Sequence, residues 1–274
     1  MILDRPSSLA TYAEELASTG HTCFTRENAM DALGISHGAF LDAAARLAKR
    51  GHIFAPRRGF YVITPTRFLK WGAPPPNWYV DAMMEEAAQP YYVGLLKAAE
   101  LHGAAHQAVM EFQVVTDRQW KPIRAGRSKI VFYFRKDIGA IEAGIVRRKT
   151  DTGSMRVSSP ALTALDLLRY PQASGGLDHA AGVLNELASE VDPKQLRVLA
   201  PAFERSVVQR LGYLFDQLGS EEPAASLHHH LGSGNVPWVE LDPSEASRAT
   251  DESEVQRDRR WRVIVRKPIE IDEQ

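Results

Sequence analysis

The hydrophobic period changes at Gly51, and that change limits the fold more than any other feature of the chain. Before it, apolar residues recur at helical spacing in three segments. The first runs from Ser7 or Ser8 to Ser18, with Leu9, Tyr12, Ala13 and Leu16 on one side and Gly20 closing it. "FTRENAMDALGIS" starts a second, with Thr25 positioned as a cap, Glu27 near the positive helix end, Ala29, Ala32 and Leu33 on one face, and Gly34 as the stop. Ser36 caps a third that runs to about Arg50, with Phe40, Leu41, Ala44, Leu47 and Ala48 facing inward. After Gly51, "HIFAPRRGFYVI" alternates as strand, tight turn and strand, with Pro56, Arg57, Arg58 and Gly59 at the tip. Helix, short Gly-containing turn, helix and hairpin is the order of a winged helix-turn-helix.

Charge is distributed unevenly over this pattern. The whole chain balances 33 Lys and Arg against 34 Asp and Glu, yet Arg46 to Lys70 holds seven bases and no acid. In a winged helix the third helix lies in the major groove and the wing meets neighbouring phosphates. Ser36 and His37 then lie near base edges, with Arg46 and Lys49 on the outward face. Arg50 and His52 lie at the helix end, and Arg57 and Arg58 at the wing tip. Neutralising phosphates releases counterions, and an acid on that surface would oppose it. Asp42 shares the outward face, so it meets a base amine or lies off the DNA. Capping alone also accounts for Ser36, and a solvated face or a protein-docking module would also accommodate the bases.

"KWGAPPPNW" marks a boundary, because three prolines impose an extended segment. The expected organisation is α+β: a winged helix-turn-helix over 1–70, a Pro-rich linker at 71–79 with Trp71 and Trp78 tucked against domain surfaces, and a larger mixed α/β domain over 80–274. In the second domain, "AMMEEAAQPYYVGLLKAAELHGAAH" suggests two helices interrupted at Pro90. "VMEFQVVT", "KIVFYFRK" and "GIVRRKT" read as antiparallel strands, and "MRVSSPALTALDLLRY" as a strand entering a helix capped by Ser159. Further helices are expected over Leu177–Glu190, Pro193–Leu199 and Ala202–Leu218, and one strand in "RRWRVIVRK". The strand block carries a second basic surface at Arg124, Arg127, Lys129, Arg135, Arg147 and Arg148, for nucleic acid, a partner, or simply as the wet side of a sheet.

No apolar run approaches the roughly 20 residues that cross a bilayer, and the start lacks a secretory pattern. One cysteine, Cys23, excludes an internal disulfide framework and a multi-cysteine zinc site. A cytoplasmic location is expected. His228, His229 and His230, and His102 with His106 at i, i+4 spacing, have no adjacent Glu of the metalloprotease kind. Glu111, Asp117 and Lys121 lack a tight acid-x-lysine element, and no phosphate-cradling Gly loop or G-x-S-x-G elbow occurs. No metal, cofactor or enzymatic activity is expected.

At "YYVGLLKAAELHGAAHQ", "VSSPALTALDLLRY" and "SVVQRLGYLFDQLG" the chain resembles the AbiEi-type antitoxins of bacterial type IV toxin–antitoxin systems, which act in phage defence. The resemblance implies a transcriptional repressor that binds inverted repeats in double-stranded DNA at its own promoter, and a palindromic operator requires two copies, a homodimer on DNA. It implies that the C-terminal domain supports antitoxicity and cooperative repression. The implied partner is a nucleotidyltransferase-like toxin, typically opposed without a stable complex, although some members are encoded beside other proteins. The positions matching DNA contact are Ser36, His37, Arg46, Lys49, Arg57 and Arg58. The tail after Gly219, with "SLHHHLGSGNVPW", has no counterpart. The alternative from another class is a nucleic-acid-processing enzyme or its DNA-targeting subunit, which divalent-metal dependence would distinguish.

Overall fold

Side-chain caps fix where the first helices begin. In a computed structural model that describes residues 6–104, 109–232, 236–245 and 255–269, Ser8 caps α1 (Leu9–Ser18) by accepting from the Thr11 amide. Thr25 caps α2 (Arg26–Leu33) through the Asn28 amide, and Gly34 ends it in the left-handed conformation. Ser36 caps α3 (His37–Lys49). The hairpin consists of β2 (Ile53–Arg57) and β3 (Phe60–Ile63). A strand not evident in the sequence, β1 (Cys23–Thr25), pairs antiparallel with β3 and completes a three-stranded sheet in the order β1-β3-β2. Three residues are too few to show a period. The result is a winged-helix-like region with its own core of Leu9, Ala13, Phe24, Ala29, Phe40, Ala44, Leu47, Ile53 and Ile63.

The inward stripe of α3 is narrower than the apolar spacing suggests. Phe40, Ala44 and Leu47 are buried, whereas Leu41 is 44% exposed and Ala48 is also exposed. Positions 40, 44 and 47 stack on one face, and a neighbour is rotated by about 100°.

The chain divides into two compact units. The first contains the described residues up to Tyr91, then Met110–Lys136 and Arg147–Arg156. Within it the Pro-rich segment is packed rather than a free spacer: Ala73, Pro74, Pro76 and Trp78 are buried, while Trp71 is exposed. The Trp78 carbonyl accepts from Thr22 Oγ1 at 3.1 Å and Thr152 Oγ1 at 3.0 Å, and its indole donates to Asp151 at 3.1 Å. α4 (Val80–Glu86) follows. Beyond Pro90, "YYV" is strand β4 (Tyr91–Val93) and not helix. The proline disfavours helix before it, and the aromatic and β-branched run suits an extended chain.

β5 (Glu111–Thr116), β6 (Ile123–Ala125) and β7 (Ser128–Phe134) also belong to the first unit. β6 is antiparallel to β7, but β5 lies parallel to β7 in full register, which corrects the all-antiparallel expectation. β6 supplies the chain reversal that lets β7 run in the same direction as β5. Gly126 makes the β6–β7 turn at φ +57°, and a Cβ there would sit 1.9 Å from the Trp71 carbonyl oxygen, which accepts from the Arg127 amide.

β8 (Ile145–Thr150) and β9 (Gly153–Ser158), like β4, divide between the units. In the second unit Val93 pairs with Val157 in parallel. α5 (Leu95–Leu101) and α6 (Pro160–Arg169) come next, the latter capped by Ser159 with proline in its first turn. Asp166 is fully buried and accepts from Tyr92 Oη at 2.7 Å. α7 (Leu177–Leu187), α8 (Pro193–Leu199), α9 (Arg205–Gln217) and α10 (Glu221–Leu231) follow. The tail adds β10 (Val239–Glu240), β11 (Gln256–Asp258) and β12 (Val263–Val265), in the order β10-β12-β11. The described part of the tail is integral to this unit. Trp261 is completely buried, and Gln209 donates to its carbonyl at 2.8 Å.

Gly212 on α9 is where Trp261 docks, and a Cβ would meet its ring at 2.0 Å. Gly212→Ala is expected to cost about 1–3 kcal/mol by overpacking and to red-shift tryptophan emission. Chemical denaturation with fluorescence detection checks both.

Candidate nucleic-acid interface

The outer side of α3 is exposed among the described residues. Ser36, His37, Gly38, Ala39, Asp42, Ala45, Arg46, Lys49 and Arg50 are all exposed, because the buried stripe occupies the opposite face. Small residues at 38, 39 and 45 keep that face low, so a duplex could approach the backbone closely. Ser36 Oγ accepts from the Ala39 amide at 3.3 Å, so its hydroxyl serves the helix. His37 Nε2 lies 3.4 Å from Nη1 of Arg26. Arg26 also donates to Glu27 from Nε at 3.1 Å, and this hydrogen bond holds the Glu27 carboxyl below its usual range. Arg26 is not among the contact residues expected from the sequence. Arg46 and Lys49 occupy the last turn of α3, where their charge suits the negative helix end.

The two wing arginines separate. Arg58 is exposed at the turn. Arg57 pairs with Phe60 within the hairpin, and its guanidinium lies 5.9 Å from the centroid of the Trp120 ring. Its Nη1 is buried and has no hydrogen-bond acceptor among the described residues. The register shifts between Phe54 and Arg57, a bulge-like irregularity that re-aims the strand. A tryptophan 63 positions away gives no local signal, so the sequence offers no means of distinguishing Arg57 from Arg58.

The second basic stretch does not form one face. Arg135 is only 3% exposed, which removes it from any surface. Lys129 donates to Glu111 at 2.7 Å, a cross-strand pair set by the parallel register. Arg147 donates to Ser154 at 2.8 Å and lies 3.8 Å from Asp81. Arg124, Arg127 and Arg148 are exposed. Arg127 stands 5.8 Å from the Trp71 ring centroid.

His102 Nε2 is bonded to the Ser158 carbonyl at 2.7 Å, and His106 lies outside the described residues. His228 sits edge-on to Trp261 at 5.4 Å. Among the described residues, no three His, Cys, Asp or Glu side chains are grouped to hold a metal ion, and no helix is long and apolar enough to cross a membrane.

Because the Ser36 hydroxyl is spent on the cap, Ser36→Ala is expected to lower stability by about 1 kcal/mol, and Ser36→Asp to restore it. Thermal melts of the two variants against the parent check this.

Comparisons with known proteins agree with this architecture. The chain is similar to a crystal structure of the RV2827C protein from Mycobacterium tuberculosis, with a TM-score of 0.64 and 14% identity over 93% of this chain and 89% of that one. At that identity the likeness concerns the fold. No curated protein matches. Residues 92–217, from the Tyr92–Val93 strand to the end of α9, match the AbiEi antitoxin C-terminal domain. Over that segment the chain is similar to the C-terminal domain of AbiEi antitoxins, and the winged-helix-like region and the tail lie outside the match.

Proposed function

We propose that this chain is a DNA-binding transcriptional repressor and the antitoxin of a type IV toxin–antitoxin operon. Residues 1–70 form the DNA-reading module, and 80–274 the antitoxin and regulatory part. The observation that carries the reading is the unpacked outer face of α3, which ends in Arg46, Lys49 and Arg50 and has Arg58 exposed on the following hairpin. An α3 placed in a major groove brings His37 and Arg26 toward base edges at its N-terminus, while the bases of its last turn reach phosphates. Ser36 contributes there chiefly by holding the first turn.

The operator would be an inverted repeat in the promoter of its own operon. Two copies of the chain would then bind half-sites about one helical turn, or a multiple of it, apart. The C-terminal domain would counter a nucleotidyltransferase-like toxin without a lasting toxin–antitoxin complex.

A promoter fragment is expected to shift on adding the full chain in EDTA and to remain intact. Cleavage that appears with Mg²⁺ would instead support a nucleic-acid-processing enzyme. Lys49→Ala and Arg58→Ala are each expected to weaken binding to specific and non-specific duplex alike, and to reduce the slope of log K against log salt by about one unit each. A shift in EDTA whose affinity and salt slope survive both substitutions would remove α3 and the wing from the interface.

A further inference from the structure

The inward turn of Arg57 creates a feature that neither the wing nor the antitoxin domain accounts for. Phe54, Ala55, Pro56 and Arg57 on β2 face Trp120, Lys121, Pro122, Ile123 and Arg124 across an open groove of about 400 Å³, entirely within the first unit. Its charged lining is Arg57, Lys121 and Arg124, with no carboxylate among the lining residues. Lys121 and Arg124 stand exposed at the rim. Arg57 is half-buried, pinned by the Trp120 ring, and has an Nη1 lacking any acceptor among the described residues. A guanidinium partly withdrawn from water without an anion is an incomplete arrangement. A phosphate oxygen completes it.

The aromatic residues decide which phosphate. Trp120 is already engaged by Phe132, at 5.1 Å between ring centroids, as well as by Arg57, and Phe54 packs edge-on against Tyr79 at 6.1 Å. The groove therefore offers charge without a free stacking platform of the kind that holds unpaired bases. Its open form points in the same direction, as does the exposed Arg58 next in sequence to Arg57. We propose that this groove seats the sugar-phosphate backbone of duplex DNA beyond the wing, with Arg57 as its fixed phosphate ligand and Lys121 and Arg124 as its rim. The proposal rests on the DNA-binding reading above. It makes the 120–124 segment, far from the winged helix in sequence, part of the same interface.

The test uses the full chain and a promoter duplex long enough to extend about one turn past the last half-site. Lys121→Ala with Arg124→Ala, both exposed and thus safe for folding, is expected to weaken binding about tenfold or more and to reduce the salt slope by about two units. Ethylation interference should lose protection at phosphates flanking the half-site while retaining it inside. Wild-type binding with an unchanged slope and footprint in the double variant overturns the groove while leaving the repressor intact. Failure of the wild type to bind duplex overturns both. The Trp120 emission, taken as wild type minus Trp120→Phe, should respond to duplex and not to inorganic phosphate or a mononucleotide at equal phosphate concentration. A saturable response to the mononucleotide alone would identify a small-molecule site and overturn the backbone assignment.

Discussion

Four aromatic rings hold α3 in place. Tyr61 on β3 stacks on Phe24 of β1 at 5.4 Å and meets Phe40 of α3 edge-on at 5.3 Å, while Tyr12 of α1 closes edge-on against Phe24 at 5.6 Å. Each such pair contributes about 0.5–1.5 kcal/mol beyond its buried area. More important is what the rings connect. One cluster ties α1, the edge strand, the hairpin and α3 together, so the angle between α3 and the wing is a property of the core. Under the proposed function, a surface that meets a groove on one side and phosphates on the other would need that angle fixed before binding.

With the angle fixed, the distribution of positive charge becomes informative. Arg57 and Arg58 are adjacent in sequence and belong to different environments, one against an indole and one in water. Cation–π contact is worth about 0.5–1 kcal/mol at exposed sites and more when desolvated, which is enough to choose one rotamer. It is not enough to hide the charge. An exposed arginine can adapt to a phosphate wherever one arrives, whereas a pinned one sets where it must lie. The chain's acids and bases nearly cancel, so under the proposed function attraction to DNA would depend on such local surfaces and not on the overall field.

Local chemistry was readable in the sequence, and long-range geometry was not. Ser36, Thr25 and Ser159 cap their helices as their spacing indicates, because a cap acts within three residues. Gly34 and Pro160 fall in place for the same reason. The parallel pairing of β5 with β7, the burial of Arg135 and the packing of the Pro-rich segment around Trp78 all depend on residues tens of positions away. Charge counts along the chain treat Arg124, Lys129 and Arg135 alike, yet one is exposed, one paired with Glu111 and one buried. Of the candidate interface, the α3 residues could be named in advance. The Arg57–Trp120 contact could not.

The same distinction explains why the tail could not be placed from sequence. "RRWRVIVRK" shows a strand, but nothing near it shows that Trp261 fills the space left by Gly212 or that its indole N–H donates a hydrogen bond to Asp216. Asp216 also binds Arg260 at 3.0 Å, so one carboxylate on α9 anchors two consecutive tail residues. The matched antitoxin domain ends at residue 217, one position beyond that carboxylate. The domain's last helix is thus completed by a segment outside the domain's own sequence boundary. Changes in the tail will therefore reach α9 through packing, and a tail that looks dispensable by alignment is part of the domain by contact.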